Sequence, residues 1–144
     1  MIYIIQNIWA ILAATVASFA FGALWYTVLG KAWMSAASIT EDMIKGESGK
    51  PSPLPYVIAF FAEFWMASIL AGALILAPVE AGKWTISVMT ALILWIGFIA
   101  PAMLVNNRYE LRPLSLFGIN AAHWLFVLII QALVIRLVGV VPPS

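Results

Sequence analysis

The sequence predicts an all-α polytopic membrane protein, a single domain made of a four-helix transmembrane bundle over residues 1–144. Of its 144 residues, 65% are hydrophobic and only 9% are charged, whereas ordinary soluble domains are about 45–50% apolar and about 25% charged. The apolar residues also form four stretches, each at least as long as the roughly 20 residues that cross a bilayer core. Too few polar residues remain to cover a water-soluble globule, which excludes soluble enzyme folds.

The first predicted span covers residues 5–30. The first charged residue of the chain is Lys31, so no charge interrupts the apolar run before it. A cleaved signal peptide begins with a basic region and has an apolar core of about 7–15 residues. This segment lacks the basic region and exceeds that length, so we expect it to remain in the mature chain as a membrane helix.

The other three spans are predicted at residues 55–78, 84–105 and 114–138. The second span carries a single charged residue, Glu63, and the third carries none. The fourth is free of charge as far as Ile135, apart from any charge on His123. Four segments of this length cannot all be buried in a soluble protein of this size, so the lipid bilayer is the expected partner of their outer faces.

Basic residues are divided unequally between the two faces of the predicted bundle. Residues 31–53 and 106–113 carry five Lys or Arg, whereas residues 79–83 and the termini carry two. Cytoplasmic loops of membrane proteins are enriched in Lys and Arg. The bias predicts that the loops at 31–53 and 106–113 are cytoplasmic and that both termini lie outside.

The first loop is expected to form a short surface helix followed by a tether. Thr40 suits a helix N-cap, Glu41 and Asp42 suit the first turn, and Gly46 suits the stop. Residues 46–55 then contain two Gly, two Ser and three Pro, which do not continue a helix.

Motifs for catalysis are absent from the sequence. It contains no Gly-rich phosphate loop, no His, Asp or Glu pair at metal-ligand spacing and no Ser nucleophile elbow. It also has no cysteine and no basic run that could follow a nucleic acid backbone. We therefore predict no catalytic residues, no metal, no cofactor and no nucleic acid partner.

Small residues form stripes on the first two spans. In the first span the stripe is Ala14, Ser18 and Gly22, and in the second it is Ala59, Glu63, Ala67 and Ala71. Such stripes allow the backbones of neighbouring membrane helices to approach closely. Two interpretations of the first stripe stay open at this point: packing inside the bundle, or an interface between two copies of the chain.

Glu63 is the most informative residue, because an acidic side chain in a membrane helix costs about 2.5–3.5 kcal/mol on insertion scales and needs a partner or a wet cavity. It lies about eight residues into its span, or roughly 12 Å at 1.5 Å per residue. His123 enters from the same face and lies at nearly the same depth. The residues predicted to share this layer as a ligand-binding site are Glu63, His123, Asn120, Trp25, Tyr26 and Trp95.

Two alternatives to a ligand-binding site stay open: a purely structural hydrogen bond, or a Glu63 that faces lipid or lies in a misplaced span. A buried hydrogen bond from Glu63 to His123 or to a Trp could serve only to fix the register of the helices. Gln131 falls on the same face as Asn120, three turns further along the helix, and predicts a weaker second polar layer. We expect the partners of Gln131 in that layer to be Thr15 and either Ser87 or Thr90.

Motifs in both halves of the chain resemble those of a known protein family. Residues 22–26 (GALWY) and 30–34 (GKAWM), then residues 95–98 (WIGF) and 109–113 (YELRP) with Asn120 after them, are similar to a bacterial and fungal family of small four-span membrane proteins classed as a domain of unknown function. The chain departs from that pattern at Thr27 and Val28. The resemblance implies a four-span bundle in the bacterial inner membrane and supplies no activity and no catalytic residues.

Three functions are compatible with the sequence. The first is a non-enzymatic protein that binds or passes a small ligand or ion at the Glu63 and His123 layer. The second is an accessory or assembly subunit that docks onto a larger membrane complex. The third is a membrane-embedded enzyme, in which the same two residues supply a base and a charge stabiliser for an unspecified substrate. Because so small a bundle leaves apolar faces uncovered, we also expect a homo-oligomer.

Overall fold

A computed structural model describes residues 2–78 and 80–142 of the protein, which are helical with no strand in those ranges. Four helices are long and apolar enough to cross a membrane, and the third of them is built from two α-helices joined by a π-helical turn. The all-α, four-span fold predicted from the sequence is confirmed. The elements are α1 (Ile2–Gln6), α2 (Ile8–Ala37), α3 (Glu41–Lys45), α4 (Leu54–Leu76), α5 (Lys83–Leu94), the π turn (Trp95–Ile99), α6 (Ala100–Tyr109) and α7 (Leu114–Val138).

Helix α2 continues to Ala37, although the sequence analysis began the first loop at Lys31. Residues 31–37 include three Ala and neither Pro nor Gly, so nothing in them ends a helix. The helix stops where Ser38 adopts a left-handed conformation, with φ at 56°. The extension places Trp33 within reach of the fourth span, where its indole N–H donates to the Asn120 side chain.

Capping residues define the loop between α2 and α4. The Thr40 side chain accepts a hydrogen bond from the Met43 backbone N–H, and Gly46 ends α3, which confirms the short helix predicted there. Helix α4 begins at Leu54, so Pro55 lies in its first turn rather than in the tether. Proline is tolerated at that position because the first-turn N–H groups have no partner within the helix.

Pro101 explains the π-helical turn in the third membrane helix. Proline has no N–H and its ring clashes with the carbonyl four residues earlier, which is Gly97. Just before Pro101 the helical turn contains one extra residue, and the Ala100 N–H donates to the carbonyl of Trp95, five residues earlier. The helix therefore crosses without a break from α5 to α6.

Helices α4 and α7 form the centre of the bundle. Helix α2 packs against both on one side, and the third membrane helix packs against both on the other. Within the described ranges, these two outer helices share no contact. The third membrane helix is the most peripheral. Of its most apolar 18 residues 6% are buried, whereas 33–39% are buried in the corresponding stretches of the other three helices.

Hydrogen bonds tie the two ends of the bundle. At one end the Arg112 guanidinium donates to the Ala37 carbonyl at 2.8 Å, which joins the loops after α2 and α6. At the other end the Asn7 side chain donates to the Val141 carbonyl at 2.9 Å and accepts from its N–H at 2.7 Å. Residues 31–53 and 106–113 therefore lie at one end, and Asn7 and Val141, near the two ends of the described chain, lie together at the other.

The apolar core fills the half of the bundle nearer the termini. Its fully buried members come from the beginning of α2 and the ends of α4 and α7, and include Ile11, Ala14, Leu70, Ala71, Leu74, Ala132 and Ile135. Ala14, Ser18 and Gly22 are all buried within the single chain. The stripe on the first span is thus occupied by packing inside the bundle, where α2 meets α4 and α7.

Candidate functional site

The side chains of Ser18, Glu63 and Gln131 meet in the middle of the bundle and join α2, α4 and α7. All three are buried, with at most 2% of each residue exposed. The Ser18 hydroxyl is hydrogen-bonded to the Glu63 carboxyl. The Gln131 amide donates to the Ser18 Oγ and to the Glu63 backbone carbonyl, both at 3.0 Å. Glu63 is therefore held by Ser18, and not by His123.

The contacts around the Ser18 Oγ constrain the proton on Glu63. Besides Glu63 and Gln131, this oxygen lies 3.1 Å from the Thr15 carbonyl. A hydroxyl has one proton to donate and two lone pairs, the Gln131 amide nitrogen only donates, and the Thr15 carbonyl only accepts. All three contacts are hydrogen bonds at once only when Glu63 carries a proton and donates it to Ser18. When Glu63 is ionised, Ser18 turns its proton to the carboxylate and leaves Thr15.

His123 lies beside this cluster inside a ring of aromatic side chains. It is 4% exposed, and neither of its nitrogens has a hydrogen-bond partner in the described part of the chain. Ring centroids of Tyr26 and Trp124 lie 4.9 and 5.0 Å from the imidazole. Phe21 stacks on it at 6.2 Å. Buried polar groups are normally hydrogen-bonded, so this imidazole is an exception that needs an explanation.

Gly22 lies next to both the Glu63 carboxyl and the His123 imidazole. A Cβ built on Gly22 would lie 3.0 Å from the His123 Nε2 and 3.9 Å from the Glu63 Oε1. The missing side chain thus leaves space between the carboxyl and the imidazole. The carboxyl faces that space from α4 and the imidazole faces it from α7.

This space is part of a cavity of about 400 Å³ between α2, α4 and α7. Glu63 and His123 supply its buried polar atoms, and the rest of the wall is mainly aromatic or small. A second, apolar cavity of about 280 Å³ shares Phe19 and Tyr56 with the first. Tyr56 is 61% exposed and lies in the first turn of α4, so this part of the cavity wall reaches the surface near the end of the bundle that holds the longer loops. Its lining residues are Phe19, Gly22, Ala23, Tyr26, Thr27, Tyr56, Ala59, Glu63, His123 and Trp124.

The remaining residues predicted for the site lie behind the cavity wall. Asn120 accepts hydrogen bonds from the Tyr26 hydroxyl at 3.0 Å and the Trp33 indole at 3.1 Å, so it orients Tyr26. Trp95 donates to the Ala121 carbonyl at 2.8 Å and thereby fastens the π turn to α7. The ring centroids of Trp25 and His123 lie 6.4 Å apart. The buried indole N–H of Trp25 has no hydrogen-bond acceptor among the described residues.

The second polar layer predicted around Gln131 is not formed. Gln131 reaches Ser18 and Glu63, so it belongs to the same cluster as the acidic residue. Thr15 and Thr90 instead donate to carbonyls of their own helices, as Ser and Thr often do in membrane helices. Ser87 accepts from Arg136 at 3.0 Å, an interaction that the sequence analysis missed.

Sequence reasoning also missed the role of Ser18 and most of the cavity wall. Ser18 and Glu63 occupy the small-residue stripes of two neighbouring spans, and two facing stripes bring such residues into contact. The two stripes are the signal in the sequence that points to this pair, but they do not determine how the two helices face each other. The aromatic wall formed by Phe19, Tyr56 and Trp124 had no comparable signal, because bulky apolar residues occur on every face of these helices.

The cavity wall combines two polar, ionisable groups with aromatic side chains. Among the described residues, no group of three His, Cys, Asp or Glu side chains is placed to hold a metal ion. The wall offers one carboxyl, one imidazole and several aromatic faces, with no Lys or Arg. Such a cavity can exchange a proton at Glu63 and accept or donate hydrogen bonds at His123.

Comparison with known proteins gives a family and no assigned activity. No curated protein matches the chain, and no solved structure matches it. The sequence model of one family, described as "Protein of unknown function (DUF1761)", matches residues 9–136. This match includes all four membrane helices apart from the first residue of α2 and the last two of α7, and it confirms the family resemblance seen in the sequence. The chain therefore belongs to the DUF1761 family of proteins of unknown function.

Proposed function

We propose that this protein is a non-enzymatic membrane protein that binds a small ligand in the cavity between α2, α4 and α7. The observation that carries the proposal is His123, a buried imidazole with two unpartnered nitrogens that faces the same cavity as the Glu63 carboxyl. Buried polar atoms are normally hydrogen-bonded, and His123 is the residue among those described with two such atoms left unpartnered. A ligand polar group in the space beside Gly22 would be placed to pair with the Nε2 of this imidazole.

The shape of the cavity defines the ligand. Its polar atoms lie at the inner end, near the middle of the bundle, and its aromatic residues extend toward Tyr56 at the open end. A ligand with one polar group and an apolar body fits this arrangement, since its apolar part replaces lipid contacts with aromatic ones. Entry between α2 and α4 requires no opening of the apolar core in the other half of the bundle.

Native mass spectrometry of the detergent-solubilised protein tests the proposal. The chain should retain a small molecule of defined mass, or acquire one when extracted membrane lipids are added. Ala59→Phe fills the cavity and should abolish retention, whereas Ala62→Phe, on the exposed side of the same helix, should not. A well-folded wild-type protein that retains nothing, or equal retention by both variants, would contradict the proposal.

We also propose a bacterial inner-membrane location with both termini outside. The location rests on the family resemblance seen in the sequence. The orientation rests on the excess of basic residues in residues 31–53 and 106–113, which the Arg112 to Ala37 hydrogen bond joins at one end of the bundle.

A second proposal concerns association with another copy of the chain. The stripe of Ala14, Ser18 and Gly22 is buried within the bundle, so it does not provide the contact. The third membrane helix is the least buried of the four and exposes apolar side chains, including Ile93, Ile96 and Phe98. We propose that a homo-oligomer forms through this face, with docking onto a larger membrane complex as the alternative outcome of the test.

A further inference from the structure

The cavity wall indicates which charge its ligand carries. Four aromatic rings face the cavity, from Phe19, Tyr26, Tyr56 and Trp124. Aromatic faces are electron-rich and attract a cation placed against them. Within the wall, Glu63 is the one acidic residue and no Lys or Arg is present, so a cationic ligand meets attraction from the carboxyl and the rings without a competing positive charge.

The hydrogen-bonding groups favour the same sign. An ionised Glu63 offers only acceptor atoms, and a neutral His123 offers one nitrogen lone pair and one N–H donor. The Tyr26 hydroxyl is already donated to Asn120 at 3.0 Å, so it supplies no proton to a ligand. With a carboxylate and no Lys or Arg, the polar end of the cavity suits a positively charged group better than an anion.

Ser18 connects the charge of the ligand to a proton on Glu63. All three contacts of the Ser18 Oγ are satisfied when Glu63 is protonated and neutral. An ionised carboxylate in this surrounding needs an opposite charge close by. A cation in the cavity supplies that charge, and Ser18 then turns its hydroxyl proton from Thr15 to the carboxylate.

We propose that the ligand is an organic cation, an ammonium group on an apolar body, and that its binding displaces the proton of Glu63. The inference rests on the proposed function and adds the ligand class to it. One proton leaves the carboxyl for water at the mouth of the cavity as one cation enters. The net charge within the spans is then unchanged, so neither state holds an uncompensated charge.

The other titratable groups on the helices around Glu63 lie either on the cavity wall or well away from the carboxyl along the bundle. On the cavity wall they are Tyr26 from α2, His123 from α7 and Tyr56 from α4 itself. Helix α1 places Tyr3 against Gly72, nine residues further along α4, and α5 carries Lys83, which lies over its own Trp84. Arg136 of α7 is bound to Ser87 and to the Leu74 carbonyl, eleven residues along α4 from Glu63.

A pair of probes with the same shape tests the inference. Benzyltrimethylammonium carries a permanent charge and no exchangeable proton, and neopentylbenzene is its neutral carbon analogue. Binding to the purified full chain is followed by tryptophan fluorescence, and proton release is followed with a pH indicator in weak buffer. We expect one proton released per bound cation, and binding of the neutral probe weaker by about tenfold or more, the equivalent of one desolvated cation contact.

Variants assign the effect to the carboxyl. Glu63→Gln should abolish proton release and the preference for the cation, whereas Glu47→Gln, in the exposed first loop, should leave both unchanged. If Glu63→Gln does not fold, Ala59→Phe provides the second variant, because it blocks the cavity without altering the carboxyl.

Two outcomes overturn the inference and are distinguishable from failure of the proposed function. Equal binding of both probes without proton release means that the cavity takes small molecules regardless of charge. Binding of neither probe, with a molecule still retained in native mass spectrometry, means that the ligand belongs to another chemical class. If neither probe binds and nothing is retained, the proposed function itself fails.

Discussion

Gly22 lies directly against His123, so that a methyl group at its Cα would come within 3.0 Å of the imidazole Nε2. The absence of a side chain at this position creates the space between the imidazole and the Glu63 carboxyl. A residue first noticed as part of a small-residue stripe thus shapes the polar end of the cavity.

Gly22→Leu should overfill that space. Extra methylenes in a packed interior cost about 1–3 kcal/mol, so the variant should unfold at a lower temperature and lose ligand retention. Gly30→Ala is the control on the same helix, because nothing lies within 4 Å of a Cβ there. That substitution should be neutral or stabilising by up to about 1 kcal/mol, the difference in helix propensity. Equal effects of the two changes, measured by thermal unfolding, would argue against the close contact.

Ser18→Ala should destabilise the protein more than Ser68→Ala. Both serines are fully buried, but Ser68 donates only to the Phe64 carbonyl of its own helix. Removing the Ser18 hydroxyl leaves both the Glu63 carboxyl and the Gln131 amide short of a partner, and an unsatisfied buried polar group costs about 1–3 kcal/mol. Thermal unfolding in one detergent compares the two. A larger loss for Ser68→Ala would contradict the hydrogen-bond cluster.

Double-mutant cycles should show that Ser18 is the hydrogen-bond partner of Glu63 and that His123 is not. Ser18 shares a hydrogen bond with Glu63, so Ser18→Ala and Glu63→Gln should show a coupling energy of about 0.5–3 kcal/mol in stability. Glu63→Gln and His123→Leu should couple less strongly in stability, because no hydrogen bond joins the two residues, yet each should reduce ligand retention. The opposite order of couplings, with unchanged ligand retention, would leave Glu63 and His123 as residues that fix helix register.

Reporter fusions should reveal the orientation. Fusions after Lys50 and after Arg112 should report cytoplasm, and a fusion at Ser144 should report the exterior, because the basic loops are retained inside. Residues 143–144 lie outside the described part of the chain, but Val141 is tied to Asn7 at the end opposite the long loops. The reverse pattern of activities would overturn the charge argument.

Cysteine cross-linking should locate the contact between copies. The chain has no cysteine, so a single introduced thiol gives an unambiguous product. Phe98→Cys on the third membrane helix should form a disulfide dimer in membranes, whereas Leu24→Cys on α2 should not, although both side chains are well exposed. Light scattering in mild detergent should then give a mass above that of one chain. Cross-linking at neither position, or only to another protein, would favour a monomer or an accessory subunit.

The sequence alone determined the class of the protein and the location of its helices. Long apolar runs interrupted by charged loops permit one solution in a bilayer, because helices satisfy all their backbone hydrogen bonds internally. The fourth helix occupies residues 114–138 as predicted, since Pro113 and Gly139 mark its limits. The depth of Glu63 and His123 followed from the same counting, because both lie nine residues after the first residue of their helices.

The rotation of each helix was decided only by tertiary packing. Apolar residues surround these helices on every side, so their sequences carry little signal for which face turns inward. Packing of α2 against α4 and α7 placed Ser18, rather than His123, on Glu63, and moved Gln131 into the same cluster. It also left His123 unpartnered at the cavity, a property that depends on side chains from three helices and that no single segment encodes.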